Sequence, residues 1–151
     1  MIREDALAMI EFLPELTVLK PVYPGLTEEQ AWRVIRRLAG HAMPAEEAKP
    51  GLGRCLVWDG NVNNYGYGRM NVRLNGKHTA LYVHIVAWRL ANGGKAVPYM
   101  NDIDHKCDVA GCFNPRHLAP LLKFKNYRRA AINTNRKRRE AATAGTEAMQ
   151  W

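Results

Sequence analysis

The chain has 151 residues, 47% of them apolar, which supplies one ordinary domain with a real core and argues against wholesale disorder. Lys and Arg number 22 against 14 Asp and Glu, a formal charge of +8 that favours an anionic partner over an acidic protein surface or a neutral metabolite. No run approaches the roughly twenty apolar residues of a membrane span. The opening "MIREDALAMIEFLPEL" carries acids where a secretion signal would be basic, so the chain reads as intracellular with no membrane partner. Three cysteines do not suggest a disulfide framework, because pairing two would leave one thiol over.

In chain order, residues 3–13 can form a short amphipathic helix ended by Pro14, followed by a connection through Pro21 and Pro24. The next helix is better marked: Thr27 can cap it, Gln30 completes a capping box, Trp32, Ile35, Leu38 and Ala39 form an apolar face, and Gly40 stops it. Arg33, Arg36 and Arg37 lie on its other side, as a solvated basic face or as phosphate contacts. The segment "HAMPAEEAKPGLGR", residues 41–54, reads as a linker or surface excursion. "CLVWDG" and "YGYGRMNVRLNGKHTALYVH" then alternate apolar and polar residues around Asn75-Gly76, a turn signal that predicts an antiparallel hairpin. Residues 84–92 predict a helix ended by Gly93-Gly94, Val97 to Asp104 an extended run, and the chain from about Leu122 a further helix.

Between the last two lies "DIDHKCDVAGCFNPRHL", residues 102–118, where Cys107, Cys112 and His117 follow one another at intervals of five. Thiolates and an imidazole are zinc ligands, a structural site needs a fourth, and Cys55 is the remaining cysteine. The usual CxxC pair is missing, so spacing alone leaves a zinc site and ordinary cysteines both open.

The stretch from Cys55 to about Arg129 resembles the HNH or His-Me finger endonucleases, particularly the phage and homing enzymes with a zinc-bound loop. The matching pieces are "CLVWDG", "GYGRM", the histidine before "AWRLANGG", "DIDHKC", "CFNPRHL" and Asn126, about half the chain in the family's order. The resemblance implies an α+β fold: a His-Me finger (ββα-metal) core with an antiparallel hairpin, a zinc-stabilised loop and flanking helices. It divides the chain into an N-terminal helical region and linker (1–50), the nuclease core (51–130) and a basic extension (131–151). It also assigns structural Zn2+ to Cys55, Cys107, Cys112 and His117, and separates the two histidines of the loop: His105 faces the reaction while His117 holds the fold.

Hydrolysing a phosphodiester needs an activated water and a cation to stabilise charge on phosphate. By the resemblance His105 activates the water and Asn126 supplies an amide oxygen to a catalytic Mg2+ or another divalent cation; Asp104 is a second ligand, as in many HNH enzymes, or the asparagine serves as the main ligand, as in zinc-loop homing enzymes. Arg69 either stabilises the phosphate or its leaving group, as the resemblance implies, or faces water from an exposed strand. Tyr65, Tyr67 and Trp58 fit either DNA packing or the core. His84 also matches a family position, but the arginine that often follows it is replaced by Ile85, so it is read as structural or supportive. His41 and His78 receive no role.

Lys123, Lys125, Arg128, Arg129, Arg136, Lys137, Arg138 and Arg139 form a basic run without an acid between them, suited to gripping a nucleic-acid backbone. The reading is a metal-dependent DNA endonuclease acting on double-stranded DNA, in the cytoplasm of a bacterial host if phage-encoded. A zinc-stabilised DNA-binding protein that does not cut is the alternative. Homing, packaging and defence roles stay open, as does a homodimer.

Overall fold

Thr27 starts the first helix, α1 (Glu28–Gly40), by the expected capping box: its hydroxyl accepts from the Gln30 amide at 3.2 Å, and its own amide donates to the Gln30 side chain at 2.9 Å. The computed structural model describes residues 27–147; the helix expected over 3–13 and the proline connection lie outside the described residues. One face of α1 buries Ala31, Val34, Ile35 and Leu38, while Arg36 stays exposed. Arg33 pairs with Glu29, and Arg37 donates to the Asn71 carbonyl. Two of the three arginines of this face thus already have protein partners.

The 41–54 segment is more than a linker. Residues Ala42–Pro44 form β1, antiparallel to β2 (Leu56–Trp58), so the excursion is tied back into the core. β2 does not join the hairpin predicted beside it. Its outer side instead runs along the cysteine loop, through a bridge between Val57 and Cys112 and bonds from Trp58 N to Gly111 O (2.9 Å) and Phe113 N to Leu56 O (2.8 Å).

The hairpin itself is β3 (Arg69–Leu74) and β4 (Lys77–Tyr82), turned at Asn75 (φ 48°) and Gly76 (φ 77°). A two-residue turn needs positive φ at both positions to match the strand twist, and Asn-Gly meets that at low steric cost. Helix α2 (Val83–Ala91) follows at once and stops at Gly93 and Gly94, both at positive φ. β5 (Asn101–His105) pairs antiparallel with β6 (Leu118–Leu122), the two joined by the cysteine loop and a 3-10 turn at Pro115–His117. Helix α3 (Lys123–Glu147) begins as β6 ends and runs without a break across residue 131.

The core gathers Leu38, Trp58, Met70, Val83, Val86, Trp88, Ile103 and Phe113 from α1, β2, β3, α2, β5 and the loop. Each fully buried side chain such as Met70, Val83 or Val86 contributes about 1.5–3 kcal/mol. Trp58 is 4% exposed, its indole N–H donates to the Asn61 carbonyl, and Gly60 and Gly68 lie against its ring, where a Cβ would come within 2.6 and 3.0 Å. It is a core residue. The architecture is mixed α+β with antiparallel hairpins, a final long helix and a buried Cys/His cluster.

Candidate metal centre and active site

Cys55, at the head of β2, is carried by the β2–loop bonds against the 107–117 loop. There the ligand atoms of Cys55, Cys107, Cys112 and His117 all lie within 4.8 Å of one another, and all four residues are buried. His117 Nε2 donates to the Leu52 carbonyl at 2.8 Å, which sets the tautomer and turns Nδ1 toward the sulfurs. Nδ1 stands 3.6 Å from Cys55 Sγ and 3.5 Å from Cys112 Sγ. Tetrahedral zinc, with Zn–S near 2.3 Å and Zn–N near 2.0–2.1 Å, sets an N to S separation of about 3.6 Å. The residues therefore fit the ion in type, number and spacing. Burial raises the Cys55 and Cys112 thiols above their ordinary range, so thiolates are stable here only when a cation takes them. The Leu52 carbonyl had no signature in the sequence.

The second site adjoins the first. β5 delivers His105 to a buried position, 7% exposed, where Nε2 donates to the Cys112 carbonyl at 2.9 Å. A carbonyl only accepts, so Nε2 carries the proton and Nδ1 of the neutral ring keeps its lone pair. Burial lowers the His105 pKa, against the Cys112 carbonyl and the Asp104 carboxylate, which favour the charged ring. Burial thus favours the neutral ring, and a carbonyl belonging to a residue of the Cys3His cluster sets its tautomer.

Around it stand aromatic rings. His84, at the start of α2, has its ring centroid 4.7 Å from that of His105, and Tyr67 lies 5.4 Å from His84 and 5.6 Å from His105. Burial, then the neighbouring His105, lowers the His84 pKa to about 3. Burial and the nearby Asp104 and Asp102 raise that of Tyr67. Arg69 is exposed at the start of β3, its guanidinium 5.9 Å from the centroid of Tyr82, whose ring in turn packs 5.8 Å from His84. Arg69 therefore stands on the rim of the same cluster. Tyr67 is half-buried inside it, and Tyr65 is 80% exposed outside.

Asp104 precedes His105 on β5 and is engaged by Arg129 of α3, while Asn126 is half-buried in the first turn of that helix. A carboxylate and an amide oxygen are hard donors of the kind Mg2+ takes. Of the eight basic residues in the run, Lys123, Lys125, Arg128, Arg136, Lys137, Arg138 and Arg139 are exposed. Arg129 is not available to a nucleic-acid backbone in the same way: besides Asp104 it holds Asp108 and the carbonyls of His105 and Lys106. That inward role was invisible in a run of like charges.

A strand ending on a buried histidine, a Cys/His-held loop, a returning strand and a helix are the parts of a ββα-metal core. Residues 81–123, from the end of β4 through the loop to the first residue of α3, match the family model described as HNH endonuclease. The match stops three residues short of Asn126. No curated protein and no solved structure matches the chain. Among the described residues no helix is long and apolar enough to cross a membrane.

Proposed function

We propose that the protein is a metal-dependent endonuclease that hydrolyses phosphodiester bonds of double-stranded DNA, with a structural zinc in the Cys55–Cys107–Cys112–His117 cluster. The observation that carries this reading is the His105 tautomer: Nε2 donates to Cys112 O, leaving Nδ1 to take a proton from water beside Asp104. Asn126 and Asp104 would hold a Mg2+ or another divalent cation, which when bound supplies charge stabilisation on phosphate and the leaving oxygen. Arg69, on the rim, adds positive charge for the phosphate. The exposed basic face of α3 positions the duplex without reading its bases.

The test is a supercoiled-plasmid assay with and without Mg2+ on wild type, His105→Ala and Asn126→Ala. His105→Ala should keep zinc, fold and DNA affinity while cutting falls roughly 10²- to 10⁴-fold, the scale of lost general-base assistance. Asn126→Ala should also lose cutting, with partial recovery at high Mg2+. Cutting that survives unchanged in His105→Ala assigns the chemistry elsewhere. Binding without cutting by wild type, across divalent metals, would select a DNA-binding protein that uses the basic α3 and does not cleave.

A further inference from the structure

Arg129 sits among solvent-facing cations, yet its guanidinium meets four acceptors. Nη1 pairs with Asp104 Oδ2, while Nη2 reaches Asp108 Oδ1 at 2.7 Å, His105 O at 3.2 Å and Lys106 O at 3.3 Å. Lys49, from the segment between β1 and β2, closes the other side: it pairs with Asp108 Oδ2 and donates to Lys106 O at 2.9 Å. Two cations and two carboxylates cancel, which leaves Arg129 little net attraction for phosphate. Burial alone would push the Asp108 carboxyl up, but Lys49 and Arg129 outweigh it and hold it below its ordinary value.

The acceptors are not scattered. Asp104 and the carbonyls of 105 and 106 are the end of the strand that carries the base. Asp108 lies between the two loop cysteines and is held at φ 58°. Arg129 itself is three residues, hence less than one helical turn, beyond Asn126 on the same side of α3. One planar fork therefore spans the two walls of the candidate site and the loop beside them.

Resting on the nuclease reading above, we propose that Arg129 is a positioning residue for the cation site and makes no DNA contact. It fixes the register of Asn126 against Asp104 and His105, and it ties up one Asp104 oxygen, leaving the other as the ligand. A lysine would keep the charge but could not span both carboxylates and both carbonyls. That asymmetry separates positioning from a phosphate contact, where lysine serves well.

The experiment uses the full zinc-loaded chain in a His105→Ala background, so that a bound duplex stays intact. Mn2+ binding to the protein–duplex complex is followed by the loss of the free-ion EPR signal. Arg129→Lys is expected to weaken Mn2+ about 10-fold, the usual scale for a lost outer partner of a metal ligand. Zinc content, duplex affinity and its salt slope should not move. Mn2+ affinity within twofold of the parent, or tighter, overturns the proposal, and so does a salt slope reduced by about one in Arg129→Gln, a variant that removes the charge, because that would make Arg129 a phosphate contact. Should Arg129→Lys lose zinc or fail to fold, Asp108→Asn decides in the same assay: it loosens the fork from one side, a several-fold weakening is expected, and no change overturns. Failure of wild type to cut plasmid, with the Mn2+ shift intact, would remove the nuclease reading alone; absence of Mn2+ binding in the parent would remove both.

Discussion

Removing the metal from the Cys3His cluster should melt the loop and, through it, disarm His105. Residues 106–117 contain only one 3-10 turn, and ordering these twelve residues costs about 1–2 kcal/mol each in backbone freedom. Six backbone hydrogen bonds hold the loop, those of Lys106, Asp108, Cys112, His117 and Phe113 amides and of the Gly111 carbonyl, at roughly 1 kcal/mol net apiece. Burial of Phe113 and the side-chain contacts to Leu52, Asp108 and Lys106 offset part of the rest, and a structural zinc, worth about 10–16 kcal/mol, is the largest single contribution the loop can draw on. Chelation should therefore release the Cys112 carbonyl from His105 Nε2 and abolish DNA cutting, while the α1–hairpin–α2 core keeps its helical circular dichroism. The assay combines elemental analysis with thiol titration. Purified protein should hold about one zinc per chain with all three cysteines slow to react, and chelator should expose three thiols together with loss of amide protection across 106–117. A zinc-free preparation with unchanged loop protection and unreactive thiols would refute the reasoning, because it would show that packing alone orders the loop.

Replacing Arg136, Lys137, Arg138 and Arg139 by glutamine should weaken binding to unrelated duplexes by a similar factor and flatten the salt dependence; unchanged affinity and slope in a titration series would mark that stretch as a solvated helix end. His84 binds its proton far less readily folded, near pKa 3, than unfolded, near 6.5. Its contribution to stability is thus complete above pH 6.5 and is lost as the pH falls toward 3, at up to about 1.4 kcal/mol per pH unit. Denaturant unfolding between pH 7.5 and 5 with zinc present should accordingly show a flatter profile for His84→Phe than for wild type, and superimposable profiles would contradict the buried neutral state. Gly60→Ala would place a methyl 2.6 Å from the Trp58 indole nitrogen, an overlap that should cost about 1–3 kcal/mol in denaturant midpoint experiments; a midpoint equal to wild type would show that the ring can give way.

Local chemistry was legible in the sequence where one short stretch decides it. Thr27 and Gln30 form their capping box because cap and partner are three residues apart, and Asn75-Gly76 turns the hairpin because both residues tolerate positive φ. The four cluster residues were also readable, because ligand type is a property of the side chain and cysteines were few. Contacts that join distant segments were not. The excursion at 41–54 looked like a linker because three-residue strands carry too little alternation to register, and only its pairing with β2 makes Ala42–Pro44 a strand. β6 was missed for a similar reason: Leu118–Leu122, with Pro120 inside it, has no strand pattern, and its pairing with β5 defines it.

The sequence by itself determined which groups could do the chemistry: an imidazole beside a carboxylate, an amide downstream, three thiols and a loop histidine. Tertiary structure decided their states. The proton on His105 Nε2 is set by a carbonyl seven residues away, and that on His117 Nε2 by one at Leu52. Arg129 shows the difference most plainly: by composition it is one more cation in a basic run, and by position it is the fork that joins α3 to Asp104, His105 and Asp108. Charge is written in the residue, whereas the partner that neutralises or uses it is chosen by what the fold brings within 3 Å or so.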